Sequence, residues 1–133
     1  MEYDYEILKK IIESDPFLRH VGIRVLHMEE GYAKLSMDFR EEITRIGGIA
    51  NGGALATLAD AAGGTSVLSL REGKNQVTVN LSIDFLEPVD NGPVTAEANV
   101  VRRGKNLVFS EIKIKDGRGR LCARASGIWF FIP

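Results

Sequence analysis

Asn51-Gly52-Gly53-Ala54-Leu55-Ala56-Thr57-Leu58-Ala59-Asp60-Ala61-Ala62-Gly63-Gly64 reads as a helix built almost wholly from small and apolar residues. Asn51 is a favoured N-cap. Gly52 and Gly53 follow it, and the first N–H groups of a helix have no partner inside the helix. Ala54, Leu55, Leu58, Ala59, Ala61, Ala62 and Leu68 cover most of the circumference, the pattern of a helix buried nearly all round. It is expected to run to about Leu70 and to stop at Arg71-Glu72-Gly73. Asp60 is the only ionisable residue between Arg45 and Arg71. A lone carboxylate entering a core is costly unless it is paired, hydrogen-bonded or protonated, and such carboxylates cluster at functional sites.

On either side of this helix the period of the apolar residues is two, not 3.6. Before it, Val21, Ile23 and Val25 predict a first strand. After a turn at Glu29-Glu30-Gly31, Ala33, Leu35, Met37 and Phe39 predict a second. After it, Val77, Val79, Leu81, Ile83 and Phe85 alternate with Thr78, Asn80, Ser82 and Asp84. Residues 94–102, 107–115 and 121–132 give three more strands, the last two joined by Asp116-Gly117, a hairpin signal. Tyr5, Leu8, Ile11 and Ile12 predict a short N-terminal helix that Asp15-Pro16 ends. Gly31, Gly73, Gly92 and Gly117 read as turn residues. The sum is an α+β fold, an antiparallel sheet of about six strands wrapped on one long central helix, with a short N-terminal helix.

The 133 residues fit one domain, 1–133. A net charge of −1 gives no electrostatic case for nucleic acid or an anionic membrane. Cys122 is the sole cysteine, so intrachain disulfides and cysteine-cluster metal sites are excluded. His20 and His27 lack metal-ligand spacing, and no metal or cofactor is expected. No run approaches a membrane span of about 20 apolar residues, and a cytoplasmic protein is the expectation.

Ala56, Thr57, Gly63 and Gly64 share the helical face of Asp60, so its carboxylate is expected to stand in a trough open to a ligand or a partner backbone. The Gly52 and Gly53 N–H groups can stabilise a developing oxyanion. Gly52 and Asp60 are eight residues apart, about 12 Å along the axis, too far to act on one carbonyl from one helix. A second subunit could bring its Asp60 to the first subunit's Gly52. The same residue types also fit a bland reading, an aspartate merely hydrogen-bonded at an interface. The all-round apolar helix and the terminal Trp129-Phe130-Phe131-Ile132 also call for cover, hence a homo-oligomer.

The segment Asn51 to Asp60 resembles the pattern His-Gly-Gly, six residues, Asp of the hotdog-fold thioesterases, specifically the PaaI-type acyl-CoA thioesterase group. Val77 to Pro88, ending Phe85-Leu86-Glu87-Pro88, resembles the strand that follows in that family. Gly104 and Asp116-Gly117 also fall in place, and the resemblance covers Phe17 to Ile132. It implies a hotdog fold and hydrolysis of an aromatic or medium-chain acyl-CoA. It also implies sites between the subunits of a dimer, with dimers commonly paired into tetramers. Asp60 would be nucleophile or general base, Gly52 would polarise the thioester carbonyl, and Thr78 would help hold the attacking water. Gly53 and Asn80 are further candidate substrate contacts.

Asn51 stands where many members have His, and Arg45 where many have Asn or Gln. Asn51 can cap the helix or order substrate but cannot act as an acid or base at neutral pH. Arg45 is a candidate substrate contact that cannot accept a hydrogen bond. These departures keep a second reading open, a non-catalytic acyl-CoA-binding or regulatory hotdog domain. No histidine follows the helix, which argues against the hydratase branch of the superfamily. Ser66 and Ser69 have no histidine partner, which argues against a serine nucleophile. Arg102, Arg103 and Lys105 form a basic group suited to coenzyme A phosphates, or simply a solvated turn.

Overall fold

Alternation of apolar residues builds most of the molecule, and the computed structural model, which describes residues 4–71 and 74–133, places that alternation in one sheet. Strands β1 (Ile23–Glu29), β2 (Tyr32–Met37), β3 (Asn75–Phe85), β4 (Val94–Arg103), β5 (Leu107–Lys115) and β6 (Leu121–Ile132) pair antiparallel in the order β1-β2-β4-β5-β6-β3. The sheet wraps a 17-residue helix, α3 (Gly52–Leu68), which packs on β2, β4, β5 and β3. Leu35, Met37, Leu58, Val67, Ile112 and Trp129 are among the fully buried side chains between helix and sheet. No described helix is long and apolar enough to cross a membrane.

Two helices precede the sheet, α1 (Tyr5–Glu13) and α2 (Pro16–His20). The sequence predicts only the first. Asp15-Pro16 does end α1, but it also starts α2. The Asp15 carboxylate accepts from the Phe17 and Leu18 N–H groups, and Pro16 fills the first turn, where its missing N–H costs nothing. Val21 closes α2 rather than opening β1. Helix α3 ends at Leu68, two residues before the expected Leu70; the expected stop at Glu72-Gly73 lies outside the described residues.

Strand β3 departs from strict alternation. Thr78 pairs with Trp129 and Asn80 with Ile128, so Val79 is an extra residue in a bulge. Directly paired residues share a face, and Trp129, Gly127, Ala125 and Ala123 of β6 are buried against the helix. Gln76 and Thr78 therefore share the helix-facing side with Leu81, Ile83 and Phe85. Val77 faces outward, contrary to the simple pattern, whereas Asn80 faces outward as that pattern has it.

The Asp116-Gly117 signal marks a turn, but not a two-residue one. β5 ends at Lys115 and β6 begins at Leu121. Buried Asp116 accepts from the Arg118 and Arg120 N–H groups, and the positive φ, +84°, falls on Gly119. Asp116 thus ties down a longer loop, and Gly117 lies against the Gly92 carbonyl.

Candidate active site

Asn51 caps α3 as its residue type predicts. Its backbone is extended (φ −65°, ψ 134°) and its Oδ1 accepts the Gly53 N–H at 2.7 Å. The Gly52 N–H finds no acceptor among the described residues. It sits at the positive end of the helix dipole, available to a developing negative charge. The Phe85 ring lies 3.5 Å from where a β-carbon on Gly52 would stand. A cavity of about 280 Å³ opens here, lined by Arg45, Gly52, Leu55 and Phe85 among others.

Asp60 lies in the middle of α3, half-buried rather than sealed in the core. Thr78 Oγ1 donates to Asp60 Oδ1 at 2.6 Å, a short, charge-assisted bond that fixes the carboxylate against β3. The second carboxylate oxygen takes no hydrogen bond from the described residues. Asp60 and Thr57 also stand on the wall of a groove of about 420 Å³. Two residues cut off from one another by 18 positions of sequence are thereby brought together, while Gly52 and Asp60 stay eight residues apart on one helix.

The expected trough of small residues around Asp60 is only half present. Gly63 and Gly64 are buried, and the chain fills their side of the helix itself. A methyl group on Gly63 would overlap the Trp129 indole, and one on Gly64 would meet the Gln76 carboxamide. These glycines admit side chains of β6 and β3, not a ligand. The open stripe of the helix runs instead along Gly53, Thr57, Asp60 and Ala61.

The remaining candidates separate. Asn80 stands on the opposite face of the sheet from Asp60, because of the bulge. Exposed Arg45 donates to the Ile46 carbonyl at 2.6 Å, beside Gly52 but not beside Asp60. Arg103 pairs with Glu30 at 3.4 Å and donates to the Leu70 carbonyl at 3.1 Å, near the far end of α3; Lys105 is exposed in the same turn. Ser66 bonds Ser110 Oγ at 2.9 Å in the core, and Ser69 Oγ accepts the Gly31 N–H at 2.8 Å, so both serines are structural. Sequence reasoning missed the groove beside Asp60, whose outer wall is α1 and α2. Ile11 and Phe17 on those helices are more than half exposed, and large apolar residues left open on short helices were the available signal.

A six-stranded antiparallel sheet wrapped on one long helix is the architecture of the hotdog fold. The chain belongs to the thioesterase superfamily, whose sequence model matches residues 47–123. It is 38% identical over 128 residues to a candidate esterase of Thermoplasma acidophilum, spanning 96% of this chain and 97% of that protein. It is similar in structure to the E. coli PaaI protein from the phenylacetic acid degradation operon, with a TM-score of 0.89 at 28% identity over 97% of this chain and 93% of that one. A thioesterase from Haemophilus influenzae superposes with a TM-score of 0.88 at 26% identity, over 99% and 92% of the two chains.

Proposed function

We propose that the chain is an acyl-CoA thioesterase that hydrolyses an aromatic or medium-chain acyl thioester with Asp60 as its base or nucleophile. The observation that carries this reading is the Thr78–Asp60 hydrogen bond at 2.6 Å on the wall of an apolar groove. A carboxylate held at one oxygen keeps the other for chemistry. As base, it takes a proton from water, and the hydroxide attacks the thioester carbon. As nucleophile, it attacks that carbon itself, and water then cleaves the anhydride. Either way the carbonyl oxygen becomes an oxyanion. Its collapse expels the coenzyme A thiolate, a good leaving group that needs no metal or strong acid.

The oxyanion donor in this mechanism is the Gly52 N–H of a second copy. Thr78 touches Asp60 and Phe85 lies against Gly52, so β3 runs alongside α3 in the opposite direction. β3 is an 11-residue edge strand with exposed Val77 and Val79, the kind of edge that accepts another strand. Antiparallel pairing of two β3 strands about a twofold axis midway between Thr78 and Phe85 sets Phe85 of one copy opposite Thr78 of the other. The Gly52 beneath that Phe85 then comes to the Asp60 beneath that Thr78. Exposed Val77, Leu107 and Ile132 on the outer face support further pairing of such dimers into tetramers. Arg103 and Lys105 are the proposed contacts for coenzyme A phosphates, and Asn51 orders the helix start.

The deciding experiment measures thiol release from a panel of acyl-CoA esters by wild type and Asp60→Asn. The expected result is turnover by wild type and a loss of on the order of a hundredfold or more in the variant, with binding of an unhydrolysable thioether retained. Near wild-type turnover by Asp60→Asn sinks the mechanism. Binding without turnover by wild type favours the acyl-CoA-binding reading.

A further inference from the structure

We infer that the groove between the N-terminal helices and α3 is the acyl subsite and that it selects uncharged acyl groups; this rests on Asp60 being the reacting carboxylate. The groove encloses about 420 Å³, within the range of small-molecule sites. Ile11 and Ile12 of α1, Phe17 and Leu18 of α2, and Ala61 and Leu68 of α3 supply its apolar surface. Asp60 lies on the same wall, one residue before Ala61, so an acyl chain whose carbonyl sits at Asp60 has this surface within reach. Ile11 is 60% and Phe17 57% exposed. An apolar chain laid along the groove removes both from water.

The charges on the lining set the selectivity. Asp15 and Asp60 are both there, and among the described residues of this chain no lysine, arginine or histidine is. A second carboxylate on the acyl group would meet two negative charges and no cation of the same chain, and like charges at short range repel. Dicarboxylic acyl groups are therefore disfavoured by the wall itself, and neutral alkyl chains are accepted.

Calorimetric titration with S-alkyl coenzyme A thioethers tests this without requiring turnover. In wild type, affinity rises about fourfold per methylene until the groove is full, then levels off. Ala61→Leu narrows the groove, so affinity levels off two or three carbons sooner while the S-ethyl compound binds as before. Ile11→Trp, at an exposed position on α1, gives the same truncated profile if Ala61→Leu does not fold. A thioether ending in a carboxylate binds at least tenfold more weakly than the neutral compound of equal length. Asp15→Asn, which keeps an N-cap residue on α2, narrows that gap. A wild-type affinity independent of chain length, or profiles in both narrowing variants that superpose on wild type, overturns the inference. So does a carboxylate penalty that Asp15→Asn leaves unchanged. Thioethers that follow the chain-length rule on a protein that hydrolyses nothing leave the subsite standing and remove only the catalytic reading.

Discussion

Thr78 Oγ1 donates to Asp60 Oδ1 at 2.6 Å, joining the edge strand β3 to the middle of the central helix. In the proposed mechanism the hydroxyl positions the carboxylate. Hydrogen bonds to charged groups are worth roughly 1.5–3 kcal/mol, so Thr78→Val is expected to lower kcat by about tenfold to a hundredfold with little change in KM. Thr78→Ser restores the donor and most of the rate. Steady-state kinetics of the pair checks this; a loss in Thr78→Ser with Thr78→Val near wild type would mean that the methyl group, not the hydroxyl, matters.

Gly52 can lose its N–H without losing the helix. It occupies the first helical position, where proline is favoured, and Asn51 before it already has the extended backbone that proline requires. Gly52→Pro is expected to fold with wild-type circular dichroism and to lose about a hundredfold to a thousandfold in kcat. Mixed with Asp60→Asn and reassociated, it should regain about a quarter of wild-type activity, because half of randomly formed dimers are mixed and each has one intact site. No recovery on mixing would place both residues of a site on one chain.

Gly63 and Gly64 predict a graded loss of stability. Alanine at Gly63 must displace the Trp129 indole, which is fully buried and cannot swing away. Overpacking of this kind costs about 1–3 kcal/mol or more. Alanine at Gly64 meets the end of the Gln76 side chain, which can rotate. Chemical denaturation midpoints are expected to fall in the order wild type, Gly64→Ala, Gly63→Ala. A Gly63→Ala midpoint equal to wild type would show that the indole is not seated as described.

Asp116 predicts a pH dependence. Burial pushes its carboxyl up, but the N–H groups of Arg120 and Arg118, with Asn91 and the Arg120 side chain, outweigh burial and hold it below the usual aspartate value. A group whose pKa is depressed in the folded state stabilises above its unfolded pKa and loses that contribution as pH falls through the folded one. Stability is therefore expected to fall more steeply in wild type than in Asp116→Asn as pH drops below about 4. Melting temperatures of both proteins across that range check it; parallel curves would remove Asp116 as the cause.

Much of this was legible in the sequence because alternation and capping are local. The limits of β4, β5 and β6 follow from periods of two, and Asn51 announced the start of α3. What failed depended on partners far along the chain. Nothing near Gly63 says that Trp129 will fill its side of the helix. Nothing in Val77 to Phe85 says that one residue will be left out of register. Asp15-Pro16 reads as a stop because proline cannot continue a helix, yet the same pair is also a good start. Asp60 itself stood out, being alone in an apolar stretch. Its bond to Thr78 became visible only once β3 lay beside α3.

The extra residue at Val79 makes the site depend on register as well as on chemistry. Val79 is 56% exposed and its side chain is replaceable by many others. Draw it into the ladder as an ordinary paired residue, however, and either the stretch before it or the stretch after it must turn over. In the first case the Thr78 hydroxyl leaves Asp60; in the second Leu81 and Ile83 turn away from the helix. Deleting it has the opposite consequence: Thr78 and Asn80 become neighbours already seated opposite Trp129 and Ile128, so the one residue this strand can lose without moving the site is the one that lies between its two faces.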